Sequence, residues 1–253
     1  MEYVEMLRAR RVLTWYGGII FAMLAIGLSL AFKDGPPNIQ MSRAQNPMIP
    51  LDAVLAGCAF APLIIVAFLG VGLDAEYKTT AIAWTRPFSR YVLALRYMAV
   101  DGSAMIVAWL IALVAAFIPI YALGLNKYFV VGSDGFQYLA LAFGVAVMWY
   151  GLIVFFSALV PGRANAVVGL SWAYALMVPG ISQIPFPTLL HQVIVALNYI
   201  NPLAYLGSMS DTGRHGAPFI AGTFAEHVIV VWLIGIAALA VGTYIWANRE
   251  VPA

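Results

Sequence analysis

Charge is scarce in this sequence. Only 9% of its 253 residues are Asp, Glu, Lys or Arg, 63% are hydrophobic, and the mean hydropathy is +0.91. Soluble domains carry about 25% charged and about 45–50% apolar residues, so an ordinary water-soluble globule is excluded and the composition is that of a membrane protein. A single cysteine, Cys58, excludes an intrachain disulfide and leaves the redox compartment open. The net charge is only +2, which supplies no cation cluster to neutralise a phosphate backbone, so no nucleic acid partner is expected. The sequence has no Gly-x-x-x-x-Gly-Lys-Ser/Thr phosphate loop. It also lacks the Gly-x-Ser-x-Gly-like turn expected of an intramembrane serine protease and histidines paired across spans to anchor haem.

What is present is a series of long apolar runs. About 20 residues at 1.5 Å each cross a hydrocarbon layer of roughly 30 Å. Five runs without a charged residue meet that length: Val12 to Phe32, Ala53 to Leu73, Gly102 to Asn126, Gly135 to Gly162 and His227 to Asn248. A sixth, Ala164 to Ser210, is too long for one straight span and is interrupted by Pro179, Gly180, Pro185, Pro187 and Pro202. It is read as a full span near Ala164 to Ile181, followed by short outer helices within 182–225 that either stay outside or dip back into the bilayer. The expected fold is all-α: one transmembrane domain over 1–253 with six transmembrane helices.

Basic residues are retained on the cytoplasmic side. With the N-terminus inside, Arg8, Arg10, Arg11, Lys78, Arg86, Arg90, Arg96, Arg163 and Arg249 fall inside, and Lys33, Arg43, Lys127 and Arg214 outside. This favours a multi-pass protein of the cytoplasmic (inner) membrane with both termini cytoplasmic; a count of seven spans would put Arg249 outside. The first apolar run is longer than a signal-peptide core, so the span is expected to be retained. Residues 1–11 form a candidate amphipathic interfacial helix, with Glu2, Glu5, Arg8 and Arg11 on one arc and Tyr3, Met6 and Leu7 on the other. A frayed basic tail is the competing account. Val4 and Arg10 break the segregation, and Arg10 reaches the headgroups by snorkelling.

The span interiors hold almost no ionisable groups, although an ion-coupled carrier needs them at membrane depth. Asp101, at the cytoplasmic end of the third span, either pairs with Arg96 or Arg90 or rides in the interface. His191, His215 and His227 cluster in or beside the outer segment, where a metal site is the less economical account. Ala53, Gly57 and Ala61 recur every fourth residue and form a smooth face for a second helix, from another subunit or from this chain.

The most informative stretch is Asp74 to Arg96, DAEYKTTAIAWTRPFSRYVLALR. Its first half can form a short cytoplasmic helix that Pro87 ends. Trp84 and Phe88 would be apolar anchors and Arg86 and Arg90 polar contacts, a design suited to docking in a groove of a soluble partner. A solvated loop whose arginines only enforce topology is the alternative.

Glu76, Thr80 and the run Thr85-Arg86-Pro87-Phe88-Ser89-Arg90, placed after the second of six spans, resemble the Glu…Gly-Thr…(Ser/Thr)-Arg-Pro-(Val/Phe)-Ser-Arg motif of type-2 ABC export permeases. Residues 1–11 resemble that family's elbow helix, and Asn201-Pro202-Leu203-Ala204-Tyr205 resembles its Asn/Leu-Pro-x-x-Tyr segment. One departure is Lys78-Thr79, where the family often has an acidic residue and glycine. The resemblance implies that 74–90 is a coupling helix touching a separate ATPase through Glu76, Thr80, Trp84, Arg86, Pro87, Phe88 and Arg90. It also implies two permease copies, as homodimer or with a paralogue, no cofactor in this chain, and ATP and Mg in the partner. The apolar spans favour a hydrophobic or amphipathic cargo moved outward. Two other classes are carried forward: a membrane-embedded enzyme or assembly subunit using His191, Asp211, His215 and Glu226, and an ion-coupled carrier.

Overall fold

The structure is a computed structural model describing residues 2–33, 48–75, 89–131, 135–181, 184, 187–205 and 223–249. The chain is mostly helical, and six of its helical units are long and apolar enough to cross a membrane. They comprise α1 (Glu2–Lys33), a broken unit made of α2 (Leu51–Phe60), α3 (Leu63–Gly70) and α4 (Gly72–Ala75), then α5 (Arg90–Ala122), α6 (Gly135–Leu159), α7 (Ala164–Ile181) and α9 (Phe224–Asn248). The shorter α8 (Thr188–Asn198) lies between the last two.

Sequence and structure agree closely on the fifth unit, which ends at Ile181. They differ at the second, where the ladder is interrupted at Ala61 and Pro62. Proline has no N–H to donate and its ring crowds the preceding turn, so the span becomes two helices in series. A two-residue parallel ladder, β1 (Ile49–Pro50) with β2 (Phe129–Val130), joins the chain just before α2 to the chain following α5. It is a small departure from the all-α expectation.

Burial ranks the helices. In α6, 67% of the apolar window is buried, against 6% in α1 and 17% in α9, so α6 is the hub and the others present apolar flanks outward. Trp15, Phe136, Leu170 and Leu233 are among the exposed large side chains. Surface of this kind is costly in water and neutral in lipid.

The tightest contact is α6 on α9, and glycines make it possible. A Cβ on Gly151 would lie 2.5 Å from the Gly235 carbonyl oxygen, one on Gly235 2.8 Å from the Met148 nitrogen, and one on Gly242 2.8 Å from Phe155 Cα. Gly144 faces Val231 and Trp232 just as closely. The pairs 144/151 and 235/242 are each seven residues apart, which returns them to one helix face and lets the two backbones touch along two turns. By contrast, Ala53 and Gly57 are exposed and nothing lies within 4 Å of a Cβ on Gly57. Among the described residues nothing packs on the Ala53–Gly57 face; Ala61 is half-buried.

Candidate functional site

Two polar clusters join the spans, one within the bundle and one at the ends of the 74–90 segment. The first is built on Arg8. Its Nη2 is 2.8 Å from Asp101 Oδ1, Nη1 donates to the Phe68 carbonyl at 2.9 Å, and both terminal nitrogens reach the Leu69 carbonyl at 3.2 Å. Tyr150 Oη donates to the other carboxylate oxygen of Asp101 at 2.7 Å. Phe68 and Leu69 are in the last turn of α3, whose carbonyls have no intrahelical donors, so Arg8 caps that helix and meets the negative end of its dipole. The Asp101 side chain is 2% exposed; a carboxylate so buried must be paired and hydrogen-bonded. Asp101 lies roughly 16 Å along α5 and Tyr150 roughly 14 Å from the end of α6, at 1.5 Å per residue. One arginine thus joins α1, α3, α5 and α6 well inside the helix ends.

Sequence reasoning placed Arg8 on a water-facing arc and assigned Asp101 to Arg96, Arg90 or the interface. The structure corrects both, because the packing of α1 on α5 brings Arg8 to Asp101 across 93 positions of sequence. Residues 2–33 form one uninterrupted helix, so the basic segment is the first turns of the first span. Gly72 was the missed signal: any side chain there would collide with the Arg8 guanidinium.

The second cluster holds the two ends of the 74–90 segment. Asp74, with a fully buried carboxylate, accepts the Gly162 N–H at 2.7 Å and pairs with Arg249 Nη1 at 3.3 Å. Gly162 has φ 73°, in the left-handed region that glycine enters without strain. That turn between α6 and α7 aims its N–H at Asp74. Arg90, in the first turn of α5, donates to the carbonyls of Ala247 at 3.0 Å and Arg249 at 2.7 Å, capping the C-terminus of α9. Asn248 donates to the Tyr91 hydroxyl at 2.9 Å. Beneath lies a small apolar cluster of Leu73, Ala94, Tyr97, Ala158, Trp246 and Ala247. The first and the last residue of the segment are therefore both fastened to the end of α9.

Of the sequence-predicted coupling residues, Arg90 is in this cluster, whereas Glu76, Thr80, Trp84, Arg86, Pro87 and Phe88 lie outside the described residues. Asp211 and His215 do too. The Asn201-to-Tyr205 run is a buried staple: Asn201 Nδ2 donates to the Ala175 carbonyl at 3.1 Å, its Oδ1 accepts the Leu203 N–H, and Tyr205 Oη donates to the Tyr199 carbonyl at 2.7 Å. Tyr174 donates to the Leu197 carbonyl, holding α8 against α7. Glu226 forms a capping box with Thr223 at the start of α9, which satisfies two of that helix's orphan donors. His227 is buried edge-on against Tyr205, with ring centroids 5.8 Å apart. Among the described residues, no three His, Cys, Asp or Glu side chains are grouped to hold a metal ion.

These features define a helical chain with six membrane-length units and a clasped connection between the second and third. Comparison with protein-family models, curated proteins and solved structures finds no match for it.

Proposed function

We propose that this chain is the transmembrane subunit of an ATP-driven exporter of the type-2 ABC class, moving a hydrophobic or amphipathic solute across the cytoplasmic membrane and taking its energy from a separate ATPase docked on residues 74–90. The observation that carries the reading is the double clasp: Asp74 and Arg90, at the two ends of that segment, are both tied to the last residues of α9. A force applied to the segment is then delivered to α4, α5 and α9 together, which is what a lever on a helical bundle requires. The resemblance of Thr85 to Arg90 to a coupling motif supports the same reading, as does the apolar character of the spans, whose deep carboxylate Asp101 is engaged by Arg8 and Tyr150. In this reading Arg86, Trp84 and Phe88 contact the ATPase, whereas Arg90 transmits. The Ala53–Gly57 face is assigned to the second permease copy.

The test is purification of the tagged chain from native membranes, followed by reconstitution. A co-purifying polypeptide with a phosphate-binding loop, solute flux that requires ATP, and loss of the partner in the Arg86→Glu variant are the expected results. Flux or chemical turnover by this chain alone in vesicles would overturn the proposal.

A further inference from the structure

A groove of about 380 Å³ runs between α1 and α5 on the outer side of the helix pair, opposite the Arg8–Asp101 contact. That size is within the range of small-molecule clefts, about 300–1,000 Å³. Ala9 and Ala104, both buried, form its floor, and Leu13, Val107 and Ile111 wall its deeper end. Arg10 is exposed on its rim and makes no side-chain hydrogen bond or ion pair among the described residues. Thr14 and Ser103, the hydroxyls on the rim, donate to backbone carbonyls of their own helices.

The groove therefore sets one exposed guanidinium, Arg10, beside an apolar wall that continues along Leu13, Val107 and Ile111. An amphipathic anion fits that lining, because its charge meets the Arg10 guanidinium while its chain covers apolar wall. We infer that the α1–α5 groove is a binding site for an anionic phospholipid of the cytoplasmic leaflet, with the phosphate at Arg10 and one acyl chain along Leu13, Val107 and Ile111. The inference rests on the chain's being membrane-spanning with its N-terminus cytoplasmic, and not on the export reading. It makes the first helix a sensor of leaflet charge.

Delipidated protein mixed with equimolar phosphatidylglycerol and phosphatidylcholine, with retained lipid counted by native mass spectrometry, tests it. Wild-type protein should retain the anionic lipid preferentially, and Arg10→Gln should lower that preference about fivefold, the effect of one basic side chain at an anionic surface. Arg10→Lys should keep most of it. Val107→Trp, at an exposed wall position, should reduce retention of either lipid. Equal retention of the two lipids by wild-type protein, or an unchanged preference in Arg10→Gln, would overturn the site. So would a disulfide between two Leu13→Cys chains in native membranes, on a Cys58→Ala background, because a second copy would then fill the groove.

Discussion

At the scale of single residues, the buried charges among the described residues join helices. A guanidinium has five donors and no acceptor, and in an apolar slab it is tolerated only when they are met. Arg8 meets them with a carboxylate and the end of α3. Removing one partner of such a pair leaves the other charge buried, at a cost of about 3–5 kcal/mol. Asp101→Asn should therefore destabilise the protein by about 3 kcal/mol in reversible unfolding from mixed micelles, whereas the double variant Arg8→Met, Asp101→Leu should recover much of that loss. Gly72→Ala should act like a weak version of Asp101→Asn, since its methyl takes the space of the pinned guanidinium. That Arg8 and Asp101 are unusual was legible in the sequence, because charges are scarce enough to stand out. Their partnership was not: nearby basic residues such as Arg96 are visible along the chain, while a contact between α1 and α5 is fixed only when the two helices pack on each other and on α3.

At the scale of elements, hydropathy located the spans because the bilayer imposes a length and a composition on each, independently of what packs on it. Packing faces were less legible. The small residues at every fourth position on α2, Ala53 and Gly57, leave an open face, while the glycines at seven-residue spacing on α6 and α9 make the closest contact. The discriminating physics is whether a neighbouring backbone has moved in to within reach of the missing Cβ. This gives opposite signs for one kind of substitution. Gly57→Ala meets nothing and should raise the melting temperature of the isolated protomer, because glycine costs up to about 1 kcal/mol relative to alanine in a helix. Gly151→Ala gains the same propensity but drives a methyl into the Gly235 carbonyl. Backbone cannot retreat as a side chain can, so overpacking of about 1–3 kcal/mol should prevail and lower the melting temperature. Thermal unfolding of the two variants side by side checks both signs.

At the scale of the whole molecule, the proposed orientation rests on the cationic residues and the proposed lever on the clasps. Lys127 and Arg163 are both exposed and fall at opposite ends of the bundle. Lys127→Cys should react with an impermeant thiol reagent from outside and Arg163→Cys only after permeabilisation; the reverse pattern would invert the topology. Arg249 is a poorer probe, being held in the second cluster by Asp74. The same cluster separates docking from transmission. Arg86 precedes the clasp and belongs to the surface that the partner is proposed to touch, so Arg86→Glu should lower ATPase co-purification and leave the fold intact. Asp74→Asn keeps the shape and the Gly162 hydrogen bond while cancelling the charge that holds Arg249. It should leave ATPase binding near wild type, let hydrolysis continue, and lower solute flux per ATP several-fold, because the segment would then pull on α5 through Arg90 but no longer fully on α9. Parallel measurement of bound ATPase, phosphate release and flux in proteoliposomes distinguishes the two variants. If Asp74→Asn and wild-type protein moved the same amount of solute per ATP, the buried pair would be a structural tie only, and the path of force would have to run through Arg90 and its cap on α9.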